Sequence, residues 1–123
     1  MNSVISTSSL LPAVRNTSLM LGKTYVGIDF GTSTTVVSIA HYDAANDKIV
    51  TRSLRLSQML PDGTVYSAEI VPSVIAWLNN QILVGEGASQ LKYKLKRGKN
   101  IWYSFKMELG EDLGAKYYES ELR

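Results

Sequence analysis

Residues 25–40, YVGIDFGTSTTVVSIA, constrain the fold more than any other part of the chain. An alternating apolar run ends in an aspartate, turns through Gly-Thr-Ser-Thr and resumes as a second β-rich run, which predicts a hairpin. The turn suits an anion. Gly31 lets the backbone approach a ligand with no Cβ in the way, and the amides around Thr32 and Ser33 can converge as an anion-binding nest. Asp29, at the carboxyl end of the first strand, supplies the carboxylate that a phosphate-bound Mg2+ needs, usually through its waters. The plainer reading is an ordinary hairpin whose Gly-Thr-Ser turn binds nothing.

Asp29-Phe30-Gly31-Thr32-Ser33-Thr34-Thr35 resembles the first phosphate loop of the actin, sugar-kinase and heat-shock-chaperone ATPase superfamily: Asp, any residue, Gly-Thr, then small hydroxyl residues. Sugar kinases carry nearly the same string, so two downstream segments choose the branch. Val71-Pro72-Ser73-Val74-Ile75-Ala76-Trp77, followed by Ile82-Leu83-Val84-Gly85-Glu86-Gly87-Ala88, resembles the Pro-Ser-Val strand and Leu-Val-Gly-x-x-Ala segment of DnaK-type chaperones, the heat shock protein 70 family. Residues 100–110, NIWYSFKMELG, resemble that family's Asn-Thr-Val-x-x-x-Lys-Arg-Leu-Ile-Gly segment, which puts Lys106 on the family's catalytic lysine. The sequence also departs from the pattern. Glu69-Ile70-Val71 replaces the threonines that usually precede the Pro-Ser pair, residues 56–69 are longer than usual, and Met107-Glu108 replaces Arg-Leu.

The resemblance implies an α/β fold: the first lobe of an actin-like (ribonuclease H-like) ATPase domain, with a β-hairpin-rich mixed sheet followed by helices. The Ser/Thr-rich composition of residues 1–22 reads as a disordered leader, and the resemblance implies a partial first lobe over 23–123, truncated at the carboxyl end, because the family's domain is several times longer than 123 residues. Among site residues it implies that Gly31, Thr32, Ser33 and Thr34 cradle the phosphates of ATP. Asp29 would hold the Mg2+ through water, and Lys106 would be the catalytic cation near the γ-phosphate. The implied function is the ATP-binding portion of a molecular chaperone that hydrolyses ATP to drive a conformational cycle. This chain alone is expected to be nearly inactive as a hydrolase, since nothing in it resembles the second phosphate loop or the adenosine motif. Client polypeptides and co-chaperones are the implied partners, met through other regions. The alternatives are a non-catalytic nucleotide-binding or scaffold module of the same fold and, less favoured, a sugar kinase.

Composition sets outer bounds. Hydrophobic residues at 45% and charged residues at 20% describe a globular chain, and the formal charge of +2 is too small to imply a polyanionic partner. With no cysteine there is no disulfide framework, thiol nucleophile or zinc-thiolate site, and the one histidine, His41, is a poor basis for a metal site or triad. The leader is rich in Ser and Thr, contains Arg15 and is broken by Pro12 and Asn16. It lacks the basic region and long apolar core of a secretory signal. A cytoplasmic location is the expectation, with an organelle transit peptide, disfavoured by its few basic residues, as the alternative, and with no membrane and no nucleic acid as partners. Asn16-Thr17-Ser18 is a glycosylation sequon with no secretory route to serve it. Gly22-Lys23-Thr24 imitates the end of a P-loop but precedes a strand and lacks the first glycine.

Along the chain, strands are expected near residues 24–29, 34–42, 48–56, 74–78 and 81–84. Turns are expected at residues 43–47, at Pro61-Asp62-Gly63 and at Asn79-Asn80. Ala88, Leu91 and Leu95 recur at helical spacing, so residues 85–96 predict an amphipathic helix. The basic residues between 92 and 99 read as its solvated face rather than a nucleic-acid patch, and residues 117–121 read as the start of another helix. Trp102, Tyr103 and Phe105 read as core or docking residues rather than a ligand cage.

Overall fold

The computed structural model describes residues 2–9, 17–113 and 116–122; Pro12, Arg15 and Asn16 lie outside them. The chain forms two compact units. The first takes the described residues up to Asp29 together with Val36–Leu54, and the second takes Phe30–Thr35 with the described residues from Arg55 onward.

Strands β1 (Asn2–Ser6), β2 (Thr24–Phe30), β3 (Thr34–Asp43) and β4 (Lys48–Ser53) lie in the order β1-β4-β3-β2, and all of their residues but Phe30, Thr34 and Thr35 belong to the first unit. β3 and β4 form an antiparallel hairpin from Asp43 opposite Lys48 to Ser38 opposite Ser53. Its loop is tied by its own side chains. The Asp43 carboxylate accepts the Ala45 N–H at 3.1 Å and the Asn46 amide at 2.8 Å, and the Tyr42 hydroxyl donates to Asp47 at 2.8 Å. Asp47 sits at φ 50, a conformation that Asp tolerates better than most residues. β1, within the stretch read as leader, pairs antiparallel with β4. The short helix α1 (Thr17–Met20) precedes β2.

The second unit carries the core. β5 (Leu56–Met59) and β6 (Val65–Ala68) make a hairpin, β7 (Ile70–Pro72) follows, and β8 (Val74–Leu78) stands between β9 (Gln81–Val84) and β10 (Ile101–Tyr103) in an antiparallel sheet. Val74, Ala76, Leu83 and Ile101 from this sheet bury themselves with Ala88 and Leu91. The turns are those the sequence predicts. Gly63, at φ 86, donates to the Leu60 carbonyl, and Asn79 and Asn80 take φ 52 and 61 between β8 and β9. Consecutive positive φ values make the left-handed turn that matches strand twist.

The α/β expectation is corrected by this architecture. Strand accounts for 47% of the structure and helix for 11%, and the sheets are mostly antiparallel, so this is a small β-rich protein and not an actin-like lobe with helices. The helix predicted over residues 85–96 shrinks to α2 (Glu86–Ser89). Its first bonds are helical, with Ser89 donating to Gly85 and Gln90 to Glu86. Leu91 and Lys92 then bond three residues back, and the helix tightens to a stop. Beyond it, Lys96 donates its N–H to the Asn100 side chain and Arg97 bridges to Ile101, which takes the backbone away from any helical continuation. Residues 117–121 also form turns: Ser120 donates to Tyr117, and Glu121 donates across to Lys99.

α2 is seated by two close approaches. The buried Gln58 of β5 accepts the Glu86 N–H at 2.7 Å and donates to the Ile70 carbonyl at 3.4 Å, satisfying an otherwise unpaired helix N-terminal donor. A Cβ at Gly87 would lie 2.0 Å from the Met59 carbonyl oxygen, so only glycine lets the helix meet β5 this closely.

Candidate phosphate-binding loop

β2 ends at Phe30 and β3 begins at Thr34, leaving Gly31, Thr32 and Ser33 as the loop. The Gly31 N–H donates to the Thr34 carbonyl at 2.8 Å, which closes the strand ends. A Cβ on Gly31 would stand 2.6 Å from that same oxygen, closer than real Cβ atoms approach, so glycine is a steric requirement here. Thr32, Ser33 and Thr34 are exposed. Among the described residues neither the Thr32 nor the Ser33 N–H has a protein acceptor, which leaves both amides available to a ligand.

The loop is held from behind by Ser73, between β7 and β8. Its N–H donates to the Ser33 carbonyl at 2.9 Å, its hydroxyl donates to the Gly31 carbonyl at 2.9 Å, and its Oγ lies 2.9 Å from the Thr35 hydroxyl. Ser73 is buried, so water competes little for these bonds. Two segments that the sequence singled out separately, the Gly-Thr-Ser loop and the Pro-Ser strand, thus meet in one hydrogen-bonded cluster.

Lys106 opens a 3-10 turn, Lys106–Glu108, and is exposed. The turn follows Ser104, whose φ of 54 redirects the chain after β10. Its preceding residue, Phe105, places its ring 6.1 Å from that of Phe30 at a tilt of 39°, within the range of favourable aromatic pairs. Phe30 precedes Gly31 and Phe105 precedes Lys106, so the aromatic pair ties the root of the loop to the root of the lysine turn. The far end of that turn is anchored by Glu108, whose carboxylate accepts from the Lys116 ammonium and the Tyr117 hydroxyl. The Lys116 contact, then the Tyr117 one, holds the Glu108 carboxyl below its ordinary value.

Asp29 is exposed and is the last residue of the first unit before the chain crosses to Phe30. No group of three or more His, Cys, Asp or Glu side chains that could hold a metal directly occurs among the described residues. The basic stretch is partly neutralised and partly stacked. Lys96 pairs with Glu119 and Lys99 with Glu121, while Lys92 and Arg97 lie 4.8 and 5.0 Å from the Tyr103 ring centre.

The residues fit a phosphate group. The free Thr32 and Ser33 amides and the exposed Thr32, Ser33 and Thr34 hydroxyls are donors of the kind a phosphate accepts from, and Asp29 is of the type that holds magnesium through water. Sequence reasoning named Gly31, Thr32, Ser33, Thr34 and Lys106, and missed what holds them. The roles of Ser73, Thr35 and the Phe30–Phe105 pair depend on partners some 38 to 75 residues away, and no local pattern announces them.

No protein family, curated protein or solved structure matches the chain in the comparisons made with each. No helix among the described residues is long and apolar enough to cross a membrane.

Proposed function

We propose that residues 31–34 bind the phosphates of ATP and that the chain serves as the ATP-binding portion of a DnaK-type chaperone, working in the cytoplasm. The observation that supports this reading is the Ser73 cluster, which joins the two motif segments behind a loop whose Thr32 and Ser33 amides are free. The loop amides and the Thr32, Ser33 and Thr34 hydroxyls donate to phosphate oxygens. Lys106, which follows Phe105, is assigned the compact positive charge near the γ-phosphate, and the Phe30–Phe105 contact supports that assignment. Asp29 orders water around the cation. Magnesium, when bound, neutralises charge on the phosphate oxygens. ATP hydrolysis, with client polypeptides and co-chaperones as partners, is the activity this reading assigns to the intact protein.

Calorimetric titration of the chain with ATP, with and without magnesium, tests the reading. Binding is expected to strengthen with magnesium. Asp29→Asn should remove that increment, and Lys106→Ala should weaken affinity by only a few-fold, because a cation that acts on developing charge contributes less to the ground state. A chain that binds no ATP, or whose binding ignores Asp29, contradicts it.

A further inference from the structure

We propose that Ser73 is a positioning residue that aims the loop amides at a bound phosphate, an inference resting on the phosphate-binding reading of residues 31–34. A hydroxyl has one proton to give. Ser73 gives its proton to the Gly31 carbonyl, so the Thr35 hydroxyl, 2.9 Å from Ser73 Oγ, must be the donor to it. Thr35, Ser73 and Gly31 thus form a one-way chain of hydrogen bonds. Meanwhile the Ser73 N–H holds the Ser33 carbonyl.

Peptide planarity carries the consequence outward. In a trans peptide the C=O and the following N–H point to opposite sides of the backbone, and the described chain contains no cis bond. With the Gly31 carbonyl held toward Ser73, the Thr32 N–H turns away from it. With the Ser33 carbonyl held toward Ser73, the Thr34 N–H turns away as well. The Thr32 amide, which has no protein acceptor among the described residues, is therefore set toward the side opposite Ser73, and the Thr34 amide turns the same way, so that both face the side from which a phosphate oxygen would approach. Ser73 touches no ligand in this arrangement. It acts by removing peptide orientations that a loop of Gly, Thr and Ser would otherwise sample, so part of the ordering is complete before phosphate arrives.

Affinities of the wild-type chain, Ser73→Ala, Ser73→Thr, Thr35→Val and the Ser73→Ala/Thr35→Val double variant for magnesium tripolyphosphate and magnesium ATP test the inference, with a thermal melt of each. Ser73→Ala keeps the backbone bond to Ser33 but frees the Gly31 carbonyl, and is expected to weaken both ligands about five- to tenfold. Ser73→Thr keeps the hydroxyl and should recover most of the loss. Thr35→Val should weaken binding less, and should add nothing in the Ser73→Ala background, because Thr35 acts through Ser73. A purely structural role would make the two losses additive and follow the melting temperature, which overturns the inference. So does a Ser73→Ala chain that binds like wild type. If Ser73→Ala fails to fold, the Thr35→Val chain decides: unchanged affinity overturns the inference. A wild-type chain that binds neither ligand fails the phosphate reading first, and the inference with it.

Discussion

The Ser73 hydroxyl donates to the Gly31 carbonyl at 2.9 Å across 42 residues of sequence, and through that bond the only glycine of the loop is fixed by a buried side chain from outside it. Gly31 is thus constrained on three sides. Its N–H goes to the Thr34 carbonyl, its C=O goes to Ser73, and the space where a Cβ would stand is filled by the Thr34 oxygen.

Gly31→Ala should therefore damage the loop by steric conflict alone, since a Cβ at 2.6 Å from a backbone oxygen forces the strand ends apart. The expected cost is about 1–3 kcal/mol of stability, with ATP affinity falling at least tenfold. Urea unfolding beside ATP titration checks both. Unchanged affinity would detach the glycine from the site.

Gln58→Ala should destabilise the second unit by about 1–2 kcal/mol, because it removes the buried partner of the Glu86 N–H and of the Ile70 carbonyl at once. Amide exchange is the sharper measurement. Protection should drop first at Glu86 and in the α2 segment, while residues 38–53 keep theirs. A variant with an unchanged urea midpoint and unchanged exchange would show that water replaces the cap at no cost.

Glu108 makes the last turns sensitive to acid. Its carboxyl titrates below its ordinary value of 4.5 because Lys116 and Tyr117 donate to it. The folded protein therefore binds this proton less readily than the unfolded one. The contribution is complete above the ordinary value and is lost as pH falls through the depressed one. Lys116 is raised above 10.5, chiefly by Glu108, so its share is lost only as pH rises through that higher value. Acidification from the ordinary carboxylate value of 4.5 down through the depressed Glu108 value should release residues 116–122 from the Lys106 turn. Tyr117 amide exchange against pH follows the release, and Glu108→Gln should abolish the step; a step that persists assigns it elsewhere.

The strands were legible where side-chain period and turn chemistry agree. The expected β8 and β9 coincide with residues 74–78 and 81–84, and Asn79-Asn80 and Pro61-Asp62-Gly63 turn where they were read to turn. Residues 85–96 misled because the spacing of Ala88, Leu91 and Leu95 fits a helix. Yet the same apolar residues are buried by a four-residue helix followed by turns, and bonds to Asn100 and Ile101 outweigh local helical preference. The α/β class, which the family resemblance implied, fails for a related reason: the helices it calls for are replaced by turns, and the sheets are mostly antiparallel. In the loop, the residues facing a ligand could be named from their types, while Ser73, Thr35 and Phe105 gain their roles only through contacts made across the fold.

Amide-resolved NMR titration of the chain with magnesium ATP tests the central claim most directly. The account predicts that the Gly31, Thr32, Ser33 and Thr34 amides move first and saturate together, that Ser73 follows through its bond to Gly31, and that Ser73→Ala raises the ATP concentration needed. Saturable shifts elsewhere with those four amides unmoved, or no saturable shift at all, would contradict it.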